Sequence, residues 1–429
     1  MNQAQYIPAL AGAMPSSFYG LDNVEIEEKY LKGYKSYNEK PKSLRFFNEA
    51  EKPLFSLSEF HKEPIILVSA GSNYKKDNFE NRLCVGDETK VFVDSGGYQL
   101  LKGSVAPEHY TDEVALKWSE ENGDIFPILD RPTGSNEYTD TEAEEMSIKS
   151  AKYYMENRSK SGTQILNVLQ GKTIEAKEEW YKKISDFKFD GWACGGFTGQ
   201  TLLKKEAVFA TALLTLYRFG EFQKENVKRL HLFGISSPDA VVYFNIIQNI
   251  FNKQGIDVKL TFDTTSYGMS GKFGHHWTGL SKDYGISSIT LPKDLTYDPD
   301  KSFRLPCVWN CPVCDGLEDV KGALMEYKKV KEAGENATKE SYVFTNEKTS
   351  SQLSYLMTLH NLYGMLEIEK YIKNIVNADC RSVYREVLGD KIADNIQLLK
   401  NIFDKTNKKT DKEKYEEIEE IFTGATLPI

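Results

Sequence analysis

Eight short apolar runs, each closing on a polar or glycine-rich stop and most separated by stretches of helical periodicity, constrain this chain more than any other feature. The runs are PIILVSAG (64–71), VFVD ending at Asp94, IFPILD ending at Asp130 and QILNVLQG, whose last apolar residues precede Gln170. They continue with GWACGG ending at Gly195 and Gly196, LHLFGIS (230–236), KLTFD ending at Asp263 and the weaker ISSITLP (286–292). Helical periodicity marks residues 142–157, 175–187, 204–219 and 239–253. Strands alternating with helices predict a parallel sheet covered by helices. Eight such units predict an α/β fold of the closed (β/α)8 TIM-barrel type rather than an open doubly wound sheet. No G-x-G-x-x-G follows the first run, so a dinucleotide-binding architecture has no support.

In such a barrel, functional groups gather at the C-terminal ends of the strands. Asp94 falls there, directly after Val91, Phe92 and Val93, and Gly96 and Gly97 follow it, permitting a tight turn and close approach of the backbone to a ligand. Taken alone, Asp94 is equally a turn-capping carboxylate. Its repetition by Asp130, Gln170, Gly195–Gly196 and Asp263 at other strand ends points to a shared site.

The 429 residues leave room for a barrel of roughly 250 residues with insertions. The N-terminal MNQAQYIPALAGAM lacks the basic region and long apolar core of a secretory signal, and no apolar run approaches the roughly 20 residues that span a bilayer. Six cysteines, three of them between 307 and 314, fit a reducing compartment and a metal site better than a disulfide framework, so a cytoplasmic protein is expected. A net charge of −9 opposes any simple attraction to a polyanion, so nucleic-acid binding would need a local basic face. The acid-free segment 264–282 offers one: Lys272, His275, His276 and Lys282 stand among four glycines. It reads either as a mobile active-site loop or as a phosphate contact.

The predicted organisation is an N-terminal extension (1–60), a catalytic barrel (61–305), a metal-binding subdomain (306–366) and a helical C-terminal region (367–429). The charged run around 405–422 reads as a solvated helix face. Cys307, Cys311 and Cys314 have the spacing C-x3-C-x2-C, in which the tight CPVC turn lets two thiolates share one tetrahedral ion. His360, on a helix whose Leu353, Leu356, Met357 and Tyr363 share its face, is the candidate fourth ligand, although a lone histidine there is also an ordinary core residue. Four protein ligands would make one structural Zn2+. Cys84, Cys194 and Cys380 read as plain core residues.

Taken together, VDSGGYQ, LDRPTG, VLQG, CGGF, HLFGIS, FDTTSY, the CPVC cluster and LHNL resemble, in order and nearly in spacing, the tRNA-guanine transglycosylase family over about residues 64–366. The resemblance implies a (β/α)8 barrel with an inserted zinc subdomain. It also implies exchange of guanine in a polynucleotide for a 7-deazaguanine without chain cleavage. Such an exchange with retention needs a nucleophile and an acid/base. By resemblance, Asp263 would be the nucleophile and Asp94 the general acid/base. Asp130 would accept from the Watson–Crick edge, with Ser95 beside it, while Gln170 and the amides of Gly195 and Gly196 read the opposite edge. Tyr98 and Phe233 would stack on the flipped base.

The chain also departs from that pattern. FDTTSYGMSGKFGHH lacks the Pro-Thr-Arg stretch usual after the nucleophile, the first cysteine pair is C-x3-C rather than C-x-C, the interval to His360 is long, and no C-terminal RNA-binding module is evident. These departures resemble the phage and bacterial branch that inserts a base such as preQ0 into DNA and shields it from nucleases. DNA is thus the expected polymer, with tRNA in a queuosine- or archaeosine-type pathway as the alternative. If phage-encoded, the protein would act in the host cytoplasm; a homodimer or an accessory protein stays open. Two further readings are a non-catalytic nucleic-acid-binding subunit of the family and a barrel hydrolase of carbohydrates. Retention of Asp94 and Asp263 opposes the first, and the lack of a strand-end glutamate opposes the second.

Overall fold

The computed structural model describes residues 2–10, 55–76, 79, 88–133, 138–171, 173–195, 205–235, 237–281, 286–290, 307–309, 311–315, 327–331, 340–344, 347–404 and 406–423. Of 205–206, 289–290, 314–315, 327–331, 340–344, 347–356 and 423 it describes the backbone only. Eight strands form one sheet: β1 (Gln5–Pro8), β2 (Ile65–Ser69), β3 (Lys90–Asp94), β4 (Ile125–Pro127), β5 (Gln164–Leu169), β6 (Gly191–Cys194), β7 (Arg229–Leu232) and β8 (Lys259–Thr264). Their order is β1-β8-β7-β6-β5-β4-β3-β2, and each neighbouring pair is parallel. The seam between β1 and β2 is narrowed by a parallel bridge of Ala9 to Leu67 and by the Leu10 amide donating to Leu67 O at 2.8 Å. The result is the nearly closed, helix-flanked barrel that the alternation predicts.

Most of the crossovers carry helices: α1 (Ala70–Asn73), α2 (Gly97–Leu101), α3 (Asp112–Asn122), α4 (Asp140–Asn157), α5 (Ile174–Ile184), α6 (Lys205–Arg218) and α7 (Pro238–Lys253). Local chemistry starts several of them. The Thr139 hydroxyl accepts from the Glu142 amide at 3.2 Å while Glu142 accepts from the Thr139 amide at 2.7 Å, a reciprocal cap. Thr111 and Thr173 cap α3 and α5 with their side chains. Inside, apolar residues from neighbouring strands interlock. Phe92 is fully buried, and truncating a core phenylalanine of this kind costs about 3–5 kcal/mol.

Two strand expectations are corrected. The rung completing the barrel is Gln5–Pro8, which lies within the segment expected to be an extension. ISSITLP does contain a strand, β10 (Ile286–Thr290), but it pairs antiparallel with β9 (His275–Leu280) in a separate two-stranded sheet. The glycine-rich stretch after Asp263 is likewise no loop: α8 (Ser266–Lys272) and β9 occupy it. α8 packs so closely on a later helix that a Cβ on Gly271 would lie 2.5 Å from Thr358 Oγ1.

That later helix, α10 (Glu347–Asn377), follows the short α9 (Pro312–Asp315) and a two-stranded sheet of β11 (Tyr327–Lys331) and β12 (Glu340–Phe344). It runs unbroken through the boundary expected at 366/367. Three helices complete the described chain: α11 (Arg381–Leu388), α12 (Asp390–Ile402) and α13 (Asp411–Thr423). α13 is no mere solvated face, for Tyr415, Ile418, Ile421 and Phe422 are buried, and Tyr415 OH meets Thr215 Oγ1 of α6 at 2.6 Å. Charged residues every few positions hide the apolar stripe of an amphipathic helix. Cys194 is buried as expected, Cys380 is exposed at the start of α11, and Cys84 lies outside the described residues.

β1 is tied to α10 by a fully buried carboxylate. Glu369 accepts from the Tyr6 amide at 2.7 Å and lies 2.7 Å from both His61 Nε2 and Lys373 Nζ. Those partners hold its carboxyl at about 2, well below the usual range and against the opposing effect of burial. No helix among the described residues is long and apolar enough to cross a membrane.

Candidate active site

A cavity of about 350 Å³ opens at the C-terminal rim of the barrel, lined among others by Asp94, Asp130 and Asp263, with Tyr98, Phe233, Gly195, Ser69, Asn73 and Gln99. It therefore joins residues from the ends of β2, β3, β4, β6, β7 and β8. Of the strand-end positions read from sequence, Asp94, Asp130, Gly195 and Asp263 line this one space, and Gln170 does not. Gly196 and Lys282 lie outside the described residues.

Asp94 closes β3 beside Ser69 of β2. Its carboxyl is pushed up to about 7, first by burial and then by the negative charges of Asp130 and Asp263; the Ser69 side chain and the Gly96 amide offset only part of the rise. A carboxyl so placed is still about half-protonated near pH 7, the range suited to acid/base work.

Gly96 adopts a φ of +86°, and a Cβ there would lie 2.8 Å from Gly71 Cα, so the turn after Asp94 needs glycine. The next glycine serves a close approach. A Cβ on Gly97 would lie 2.6 Å from Asp130 O and 3.0 Å from Asp130 Oδ1.

Asp130 is buried beyond β4, and its burial raises its pKa. Ser95 Oγ donates to its Oδ1 at 3.3 Å, and Gln170 Nε2 donates to its Oδ2. Gln170 is itself fully buried, also donating to Arg131 O at 3.2 Å and accepting from the Thr133 amide at 2.8 Å. Ser95 and Gln170, both buried, thus hold Asp130 through their side chains. Phe233 sits at the inner wall against Gly195, and Tyr98 is 42% exposed at the mouth.

On the far side, Asp263 Oδ1 accepts from the Gly234 amide at 3.0 Å and stands 3.3 Å from His231 Nε2. His231 is fully buried, and burial lowers its pKa more than Asp263 raises it. Its other nitrogen, Nδ1, meets Thr261 Oγ1 at 3.0 Å. Sequence reasoning missed His231. The signal was the period of two in a strand: Arg229, His231 and Phe233 share one face of β7, as Thr261 and Asp263 share one face of β8.

The basic segment behaves differently from the expectation. Lys272 is exposed and His275 half-buried, but His276 is fully buried and stacks on His360 with ring centroids 3.8 Å apart. His276 is therefore part of the packing around His360 and is closed off from a polynucleotide.

Cys307, Cys311 and His360 bring their donor atoms within 4.8 Å of one another, a cluster that could hold a metal ion. Cys311 Sγ lies 3.1 Å from His360 Nδ1, and His360 Nε2 lies 2.7 Å from Trp277 O. A carbonyl can only accept, so Nε2 carries a hydrogen, and in the neutral ring Nδ1 turns its lone pair toward the sulfur. This orientation by an outer partner is typical of ligating histidines. Cys314 is placed on α9, and its side chain lies outside the described residues.

Fold and site together define a barrel-type α/β protein with a carboxylate-lined cavity at the strand ends and a thiolate–imidazole cluster. In comparison with known proteins, the chain matches no family model and no curated protein.

Proposed function

We propose that this protein exchanges guanine in a polynucleotide for a 7-deazaguanine of the preQ0 type, with DNA as the polymer. The observation that carries the reading is the convergence of Asp94 and Asp263, from separate strands, on one cavity that also holds an aromatic at its wall and another at its mouth.

In the first half-reaction Asp263 attacks the sugar C1′, the C1′–N9 bond breaks, and Asp94 gives its proton to the departing guanine. An ester between Asp263 and the sugar results. In the second half, the incoming base yields its N9 proton to Asp94, its nitrogen attacks C1′, and Asp263 leaves as carboxylate. Two displacements return the original configuration. Asp130, fixed by Ser95 and Gln170, would accept from the amino and imino hydrogens of the purine. Phe233 and Tyr98 would cover its faces. A Zn2+ held by Cys307, Cys311, His360 and, by its spacing, Cys314 would be structural, since four protein ligands leave no open position.

DNA is preferred because no arginine follows Asp263 in α8, where Lys272 is the sole cation. The test is incubation with labelled guanine and either single-stranded DNA or tRNA, with nucleoside mass analysis of both polymers. Label entering DNA in the parent protein and vanishing in Asp263→Asn is the expected result. Label in tRNA alone reverses the choice of polymer, and label in neither overturns the exchange.

A further inference from the structure

Resting on the reading of Asp263 as nucleophile, we infer that His231 is a positioning residue that holds Asp263 Oδ1, leaves Oδ2 as the attacking oxygen, and eases the departure of the carboxylate in the second half-reaction. The geometry begins with Thr261. Its Oγ1 lies 3.0 Å from His231 Nδ1 and 3.3 Å from Leu230 O, so the hydroxyl has two places to turn its hydrogen. Turned to the ring, it donates to Nδ1 and leaves the neutral imidazole its hydrogen on Nε2. Turned to Leu230 O, it accepts from Nδ1–H of the imidazolium.

In both arrangements Nε2–H faces Asp263 Oδ1. The tautomer with a bare Nε2 would instead set two lone pairs against each other at 3.3 Å. Phe92, with its ring centroid 4.2 Å from that of the imidazole, and Phe233, edge-on at 4.5 Å, fix the ring from the sides. At 3.3 Å the contact falls short of a formed hydrogen bond, which is common where hydrogen bonds tighten only around the bound substrate.

Asp263 Oδ1 thus accepts from the Gly234 amide and has the His231 Nε2 of the neutral or charged ring 3.3 Å away. Once Oδ2 has bonded to C1′, Oδ1 is the carbonyl oxygen of a neutral ester. When the C1′–Oδ2 bond breaks, its electron pair returns to the carboxylate and half the new charge appears on Oδ1. A donor already aimed there stabilises the leaving group as charge develops. The same donor makes the free carboxylate slightly less nucleophilic, so its loss burdens the second half-reaction far more than the first.

The experiment follows the denaturation-stable adduct between the protein and a labelled guanine-containing oligodeoxynucleotide, chased with unlabelled guanine. His231→Phe should still form the adduct, but release it roughly tenfold more slowly, with kcat reduced in parallel and KM for guanine little changed. His231→Gln, which can again offer an N–H to Oδ1, should restore most of the release rate. Thr261→Val, which leaves the imidazole but removes the hydroxyl fixing its tautomer, should slow release by a smaller factor and serves if His231→Phe fails to fold. Release at the parent rate in these variants, or glutamine no better than phenylalanine, overturns the role of His231. Failure of the parent protein to form any Asp263-dependent adduct instead rejects the nucleophile reading itself.

Discussion

Gly97 packs directly on Asp130, so closely that a single added methyl would sit 2.6 Å from the Asp130 carbonyl oxygen. The second glycine of DSGGYQ is thus a spacer that seats the carboxylate expected to read the base. Gly97→Ala must push back the backbone at Asp130, at a cost of about 1–3 kcal/mol for an overpacked site. Guanine affinity should fall at least about tenfold with smaller effect on the chemical step, as read by calorimetry and single-turnover exchange. Unaltered affinity would show that Asp130 does not bind the base.

With Asp94 as the acid of the proposed exchange, its raised pKa sets a pH dependence for base departure. With its carboxyl half-protonated at about 7, the first half-reaction should lose about a factor of ten per pH unit above that value. Asp94→Asn should nearly abolish exchange and remove the limb. The same shift bears on stability. A carboxyl whose folded pKa exceeds its unfolded value favours the fold below about 4 and loses that contribution as pH rises through about 7. Asp94→Asn should therefore be the more heat-stable protein at pH 8, though inactive, as thermal unfolding across pH would show.

Glu369 works with the opposite sign. Its folded value of about 2 lies below the ordinary 4.5, so its contribution is complete above about 4.5 and drains away as pH falls toward 2. Glu369→Gln leaves Lys373 and His61 buried against a neutral amide and should cost about 3–5 kcal/mol at pH 7. Denaturant unfolding at pH 7 and pH 3 measures both effects, and the variant's deficit should be smaller at the lower pH.

The cysteine–histidine cluster predicts one tightly held zinc per chain. Cys311→Ser or His360→Ala should reduce the zinc content measured by atomic absorption to well below one and lower the unfolding temperature. The loss should appear in the absence of any substrate, as the proposed structural role requires. Full zinc retention in both variants would show that the cluster is not the site.

Most of the barrel was legible because buried parallel strands are written as compact β-branched runs, as in Val91–Phe92–Val93 or Ile65–Ile66–Leu67–Val68. Gln5–Pro8 was not, since a four-residue rung ending in proline carries no such run. Ile286–Thr290 has the composition of a rung, yet its partner is the hairpin strand just before it, and composition does not encode partners. Asp94, Asp130 and Asp263 were readable from their place at strand ends. That Ser95 and Gln170 brace Asp130, and that His231 meets Asp263, depends on neighbours across strands, which only the registers of β3 on β4, β4 on β5 and β7 on β8 reveal. His276 looked basic and available, and burial against His360 emerged only with the packing of α10 on β9.

The amide of Tyr6 finds its acceptor on Glu369, 363 positions along the chain, and β1 has β8 as its laddered neighbour. During synthesis this rung must wait until β8 and α10 have left the ribosome before it can dock fully. Until then the growing cylinder exposes a raw edge on β2 and, later, another on β8, each ready to zip onto a neighbouring nascent chain. Yield in the cell should accordingly depend on how quickly translation reaches α10 and on chaperones that cover those edges meanwhile.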